Sequence, residues 1–240
     1  MQRVRKAVEP PGQARADLEI LQDLARACGA DWPEQDAAAV YAEMAALAPK
    51  FAGIRHGRLD AEGGLQWPCE DAESPGTKFL HEGGVLRGRG RFEPVDYRPS
   101  AEAADSEYPL VLSTGRTLYH YNAATQTRRE PGLAAKQPEA YVELHRRDAR
   151  DRGIGDGDLV EVRTRRGAVR CRAAVSKQVR KGCVWMPFHF AEARANLLTV
   201  DDGDAVTGTA EYKVCAAEVR PLPVDEGGPP AALFPGAFWV

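Results

Sequence analysis

The rhythm of apolar and polar positions changes twice along this 240-residue chain. Near the N-terminus, Val4 and Val8 interleave with basic residues, which predicts a short strand over 4–8, stopped by Pro10-Pro11-Gly12. Next, Leu18, Leu21, Leu24, Ala25 and Cys28 recur at helical spacing after Asp17, a candidate cap. Gly29 stands where a left-handed C-terminal residue belongs. A second helix is expected over 34–47, with Val40, Tyr41, Met44 and Leu47 on one face and Pro49 as its stop. Both helices read as ordinary packing elements at the edge of a larger domain.

Residues 50–107 break this texture. Gly63-Gly64, Pro75-Gly76, Gly83-Gly84 and Gly88-Arg89-Gly90-Arg91 punctuate short apolar pieces, which predicts a long irregular connector. From 108 onward the period becomes two. Strands are expected over 109–113, 141–144, 159–163, 168–173, 183–186 and 211–219, with one short helix over 146–152 ending at Gly153. The turn at Arg166-Gly167 makes 159–163 and 168–173 a hairpin with Val160, Val162, Val169 and Cys171 inward. Short strands, tight turns and one small helix point to a barrel, mainly β with some α. The Pro-, Gly- and Ala-rich segment 223–240, ending in Phe238-Trp239-Val240, reads as a flexible tail.

Composition narrows the function classes. The net charge of −3 gives no global pull toward nucleic acid, and no apolar run approaches the ~18 residues of a membrane span. Five scattered cysteines without a C-x-x-C pair argue against a zinc or iron–sulfur knuckle and fit reduced thiols in a cytoplasm. His120 has no nucleophile at a diagnostic spacing, so no hydrolytic set stands out. Asp201, Asp202 and Asp204 read as a solvated turn rather than a cation site, and Gly88-x-Gly90 lacks the helix that a dinucleotide fingerprint needs.

Three polar constellations remain. In 112–129, an apolar strand runs into small hydroxyls, a glycine and three arginines, with His120 and Asn122 between them. Such donors suit a phosphate-rich ligand, and they equally suit a solvated loop at a strand end. His189 lies between Phe188 and Phe190, where it fits either a planar heterocycle or a core position satisfied by backbone. Tyr212 and Lys213 offer a phenol and an ammonium, or an ordinary strand with a snorkelling lysine.

The order and spacing of several pieces carry a family resemblance. These are Thr114-Gly115-Arg116, Tyr119-His120-Tyr121-Asn122, Thr125-Gln126-Thr127-Arg128-Arg129, Val142-Glu143-Leu144-His145, Gly155-Asp156-Gly157-Asp158, Met186-Pro187-Phe188-His189-Phe190, Ala195-Asn196-Leu197 and Glu211-Tyr212-Lys213-Val214-Cys215. Residues 108–222 resemble the molybdopterin dinucleotide-binding domain at the C-terminus of molybdenum or tungsten oxidoreductases. Upstream, Gly64-Leu65-Gln66-Trp67-Pro68-Cys69 and Phe79-Leu80-His81-Glu82-Gly83-Gly84 resemble the formate dehydrogenase alpha-subunit branch, with nitrate reductase next.

The resemblance implies a double-psi β-barrel and molybdopterin guanine dinucleotide as cofactor, its molybdenum or tungsten held elsewhere. It implies cofactor contacts from Thr114, Gly115, Arg116, His120, Asn122, Thr125, Thr127, Arg128, His189, Asn196, Tyr212 and Lys213, with no catalytic residue or metal ligand. Ala123-Ala124 stand where related sequences often carry Thr-Gly, Gln126 where methionine is common, and Arg146 where proline often follows the strand histidine. The resemblance also makes 1–107 a remnant of the catalytic body and its connector. The chain is therefore expected to act with that body on another polypeptide, and with iron–sulfur subunits, as the incomplete C-terminal portion of a formate dehydrogenase-like oxidoreductase. A nitrate reductase-type fragment, a stand-alone cofactor-binding module and a nonfunctional remnant are the alternatives.

Overall fold

In the computed structural model, which describes residues 1–85 and 87–223, the chain forms two compact units, Met1–Pro94 and one beginning at Val95. In the first unit lie helices α1 (Asp17–Ala27), α2 (Ala37–Leu47) and α3 (His56–Glu62). The strand expected over 4–8 does not form, and Val4 is 96% exposed. Its alternation has no partner strand to pair with, and a lone strand is unstable in water. The Asp17 side chain does not cap α1, whose first flanking residue is Ala16. Asp36 caps α2 instead, accepting from the Ala39 N–H at 2.8 Å, so that helix starts later than expected. α3 lies inside the segment expected to be irregular.

The helix faces are reversed from the expected packing. α1 buries Gln22 and Ala25 while Leu21 and Leu24 are 55% and 57% exposed; α2 buries Ala45 and leaves Val40, Met44 and Leu47 exposed. Gln22 is satisfied, because its amide exchanges hydrogen bonds with the Gln35 backbone at 2.7 and 3.2 Å. The core of this unit is small: Ile54, Leu59, Leu65 and Cys69, with Tyr41 against them. Polar ties supplement it. Arg58 donates to the carbonyls of Gly53, Asp71 and Ser74, and a side chain on Gly53 would strike the Asp71 carbonyl.

The second unit is a closed barrel with some helix. Its strands are β1 (Leu110–Gly115), β2 (Tyr141–His145), β3 (Leu159–Arg163), β4 (Ala168–Ser176), β5 (Cys183–Pro187) and β6 (Cys215–Pro221), ordered β1-β5-β2-β4-β3-β6 around the wall. Pairs β1/β5 and β2/β4 are parallel and the others antiparallel, the double-psi arrangement. Alternate residues fill the interior, among them Leu110, Leu112, Val142, Leu144, Val184 and Met186. The predicted hairpin forms in the predicted register, with Val160 opposite Cys171 and Val162 opposite Val169, and all four are buried.

Strand directions fix what the two ends of the barrel carry. Gly115, Pro187, Tyr141, Arg163, Ala168 and Cys215 all fall at one end. The 116–140 connection, the 164–167 turn and the 188–214 connection therefore share that end. Helices α4 (Pro131–Lys136) and α5 (Arg146–Asp151) follow β1 and β2, so α4 lies in the first of these connections and α5 at the opposite end.

One carboxylate fastens the shared end. Glu102 accepts from Arg165 at 2.8 Å, from both terminal nitrogens of Arg166 at 2.8 Å, and from the Ala216 N–H at 2.8 Å. The Arg166 bonds act against the cost of its burial, helped by Ala216 and Arg165, and hold its carboxyl down at about 2. Arg166 also donates to the Leu198 carbonyl at 3.0 and 3.2 Å, so the clamp joins the 164–167 turn to the 188–214 connection. β6 begins at Cys215 rather than 211, which leaves Tyr212 and Lys213 ahead of the strand. The β1/β6 ladder ends at Leu112 opposite Cys215, and beyond it the Thr114 hydroxyl donates to the Tyr212 carbonyl in place of a ladder bond. The tail expected over 223–240 lies, from 224 on, outside the described residues.

Candidate cofactor-binding end of the barrel

The exit of β1 is built for close approach. Gly115 packs under Trp185, and a side-chain carbon there would come within 2.6 Å of the indole nitrogen, so no larger residue fits. Thr114 is buried with its hydroxyl on Tyr212, and Lys213 Nζ donates to the Thr114 carbonyl at 2.5 Å. Lys213 thus closes the β1 exit against the residues before β6, with its ammonium 5.0 Å from the Tyr212 ring centre.

Beyond Gly115 the two connections lock together through histidines. The Thr117 N–H donates to His189 Nε2 at 2.9 Å, so that nitrogen carries no proton. His189 Nδ1 then donates to the Asn122 carbonyl, which fixes one neutral tautomer. Burial holds this imidazole below its ordinary value despite the Asn122 carbonyl, and nearby His120 and Arg116 push the same way. His120 is bonded through Nε2 to the Gln137 carbonyl at 2.8 Å and through Nδ1 to Thr127 Oγ1 at 3.0 Å. A carbonyl only accepts, so the His120 proton sits on Nε2 and the Thr127 hydroxyl donates to Nδ1. The Tyr121 N–H in turn donates to Thr127 Oγ1 at 3.3 Å. His120, His189 and Thr127 are therefore engaged inside the protein, shaping the loop that carries the arginines.

Asn122 and Ala124 adopt left-handed backbone, with φ of 47° and 59°. Asparagine tolerates this conformation and alanine resists it. Ala124 is fully buried and bonded on both sides: its N–H to the Tyr121 carbonyl at 2.8 Å and its carbonyl to the Arg128 N–H at 3.0 Å. The turn so formed aims Arg116 and Arg128. Arg116 donates to Asn122 Oδ1 at 2.9 Å and lies 5.2 Å from the Phe188 ring centre. Arg128 lies 5.3 Å from the Phe190 ring centre and makes a forked pair with Glu192 at 2.7 and 3.0 Å. Burial would raise the Glu192 carboxyl, but the Arg128 bonds bring it below its ordinary value.

Thr114, Gly115, Arg116, His120, Asn122, Thr127, Arg128, His189, Tyr212 and Lys213 are thus brought together at one barrel end. Thr125 is exposed on the same turn. Asn196 is exposed in the 3-10 turn Ala195–Leu197, beside the hairpin turn where Gly167 approaches the Leu197 carbonyl, and stands apart from the histidine network. Sequence reasoning passed over Thr117, Phe188, Phe190 and Glu192 as site residues. Thr117 Oγ1 is buried with no hydrogen-bond partner, an unmet polar atom beside the β1 exit. Glu192 had no sequence signal, because its partner is 64 residues away. Among the described residues no group of His, Cys, Asp or Glu is placed to hold a metal ion. The Asp204 carboxylate instead accepts from the Val206 and Thr207 amides, as in a solvated turn.

Known proteins share this architecture. The F420-dependent formate dehydrogenase 2 subunit alpha of Methanococcus maripaludis is 42% identical over 92% of this chain and 33% of its own length. The periplasmic nitrate reductase of Desulfovibrio desulfuricans is 36% identical over 90% of this chain and 32% of its own length. The chain spans about a third of the length of these relatives. Among solved structures, acetylene hydratase from Pelobacter acetylenicus superposes with a TM-score of 0.60, at 17% identity, over 91% of this chain and 34% of its own. That likeness speaks for the fold. Residues 110–216 match the Molydopterin dinucleotide binding domain, and with the formate dehydrogenase alpha subunits aligned along both units, the chain is related to the C-terminal part of the molybdopterin oxidoreductases, formate dehydrogenase branch.

Proposed function

We propose that the chain holds molybdopterin guanine dinucleotide for a formate dehydrogenase-like oxidoreductase whose metal-bearing region lies in polypeptide corresponding to the rest of the relatives. The observation that carries this reading is the convergence of Arg116, Arg128, the β1 exit and the unmet Thr117 hydroxyl at one barrel end. These residues fit the group: two guanidinium forks for phosphates, an unpaired hydroxyl, and aromatic rings that keep the arginines flat. When bound, the cofactor supplies the two-electron redox chemistry, and the protein supplies position and electrostatics.

Within the chain the roles separate. Arg116 is held by a neutral amide and an aromatic ring, so its full charge is available to a phosphate. Arg128 is already matched by the Glu192 carboxylate and must share or exchange that partner. Arg116 is therefore the stronger anion anchor. Asn122 steers Arg116, while His120, His189 and Thr127 keep the loop in one shape. Lys213 ties the β1 exit to the segment before β6, and Tyr212, Thr125 and Asn196 supply further polar groups at the same end.

Formate is the favoured substrate of the complete enzyme, since the relatives of highest identity among those named are formate dehydrogenase subunits. A cytoplasmic location accompanies this reading; among the described residues no helix is long and apolar enough to cross a membrane. The test is mass-spectrometric measurement of guanine nucleotide and pterin retained by the chain purified from a cofactor-producing host. Arg116→Ala is expected to lower retention about tenfold or more, and Arg128→Ala to lower it less. Unchanged retention in both variants would remove the assigned pocket.

A further inference from the structure

The first unit carries its apolar residues on the wrong side for a self-sufficient fold. In α1, the positions that face inward are Leu18, Gln22 and Ala25, whereas Ile20, Leu21 and Leu24 face out. In α2, Tyr41 and Ala45 face in, whereas Val40, Met44 and Leu47 face out, Leu47 at 83% exposure. The i, i+4, i+7 spacing sets those three on one face of α2. α2 reads AAAVYAEMAAL, so Glu43 is its one charged residue and apolar groups surround the rest of its circumference. A helix apolar on nearly every side is a buried helix in its working context. Solvated helices place leucines inward, and this pair turns them outward beside its charges.

Two further observations say what covers this face. The small core of the unit is too thin for a segment of 94 residues. The relatives align along both units and continue for roughly twice this chain's length beyond the aligned part, since the chain spans 33% of them. We infer that the outward ridges of α1 and α2 are a docking surface for an apolar face of the polypeptide that corresponds to the remaining two thirds of those relatives. This rests on the proposed function for the identity of the partner, and it deepens that reading by naming the surface. Aliphatic side chains on both ridges, flanked by the exposed charges Asp17, Glu19, Arg26 and Glu43, give the apolar centre and polar rim of a protein interface. The face and the cofactor end draw on different residues.

The experiment uses the full chain and, as probe, the remaining two thirds of the methanogen formate dehydrogenase alpha subunit expressed separately. Association is measured by analytical ultracentrifugation for the wild type, Leu24→Glu and Met44→Glu. All these positions are exposed, so the melting curves of the variants are expected to match the wild type. The wild type is expected to form a one-to-one complex, and each variant to weaken it about tenfold or more. Absence of a wild-type complex, variants that bind as well as wild type, or a homodimer of this chain abolished by Leu24→Glu would each overturn the inference. Retention of guanine nucleotide by the barrel is read in parallel. A barrel that retains none, beside an association still sensitive to Leu24→Glu, would sink the cofactor reading and leave the docking surface standing.

Discussion

The barrel and the helical unit before it handle apolar sequence in opposite ways. The barrel closes its sheet, so alternate residues of all six strands meet one another and leave no exposed strand edge. The helical unit turns aliphatic side chains of α1 and α2 to the solvent and relies on tight turns and the Arg58 ties. A closed sheet satisfies its hydrogen bonds and its core within one segment of chain. A pair of amphipathic helices satisfies its core only when something lies on each apolar face. The difference teaches that a compact outline is not the same as a completed core.

The sharpest way to break this comparison is to remove equivalent volume from each unit. Leu112→Ala in the barrel is expected to cost about 2–5 kcal/mol in denaturant unfolding, because Leu112 is fully buried. If the barrel transition moved by less than about 1 kcal/mol, the closed core would not be what holds this unit together.

Next in size is the Glu102 clamp. Its depressed carboxyl contributes stability that is complete above the ordinary value of 4.5 and disappears as pH falls through about 2. That difference corresponds to at most about 3 kcal/mol, since the Glu102 side chain is 10% exposed and Arg165 is partly screened by solvent. Glu102→Gln is expected to be less stable than wild type at neutral pH, with the gap closing between pH 4.5 and about 2. A gap constant over that range would show that the carboxylate's charge is not the source.

Smaller, and opposite in sign, is Ala124→Gly. Releasing alanine from φ of 59° is expected to stabilise the barrel by about 0.5–1 kcal/mol after the glycine's own entropy cost. A loss of stability on calorimetric melting would show that the buried methyl group outweighs the backbone strain. The smallest effect belongs to the helical unit. Leu24→Ala is expected to change unfolding by less than about 0.5 kcal/mol in the isolated chain. A cost near that of Leu112→Ala would erase the contrast between the units.

Much of the barrel was legible because strand periodicity is local. The hairpin of β3 and β4, its register and its four inward residues follow from alternation around one tight turn. The candidate residues of 112–129 were legible as a polar cluster at a strand exit, and the topology gathers most of them at one end. Other parts were not legible. The strand at 4–8 had the right alternation and no partner. Tyr212 and Lys213 looked like strand residues, yet the side chain of Thr114 takes the place of the ladder there. α3 was hidden among turn residues, since His56–Glu62 is too short for a clear period.

By itself, the sequence determined the β-rich character of the second half, the inward residues of its hairpin and the stock of guanidinium and hydroxyl groups near the β1 exit. Alternation, turn chemistry and side-chain type act over a few residues, so they are written in order along the chain. Only the tertiary structure decided that Arg128 is neutralised by Glu192, that both histidines are committed to backbone and hydroxyl partners, and that Glu102 binds two arginines about 60 residues away. Such pairings depend on which loops the closed sheet brings to the same end. Strand order sets that, and strand order is a property of the whole barrel rather than of any stretch within it.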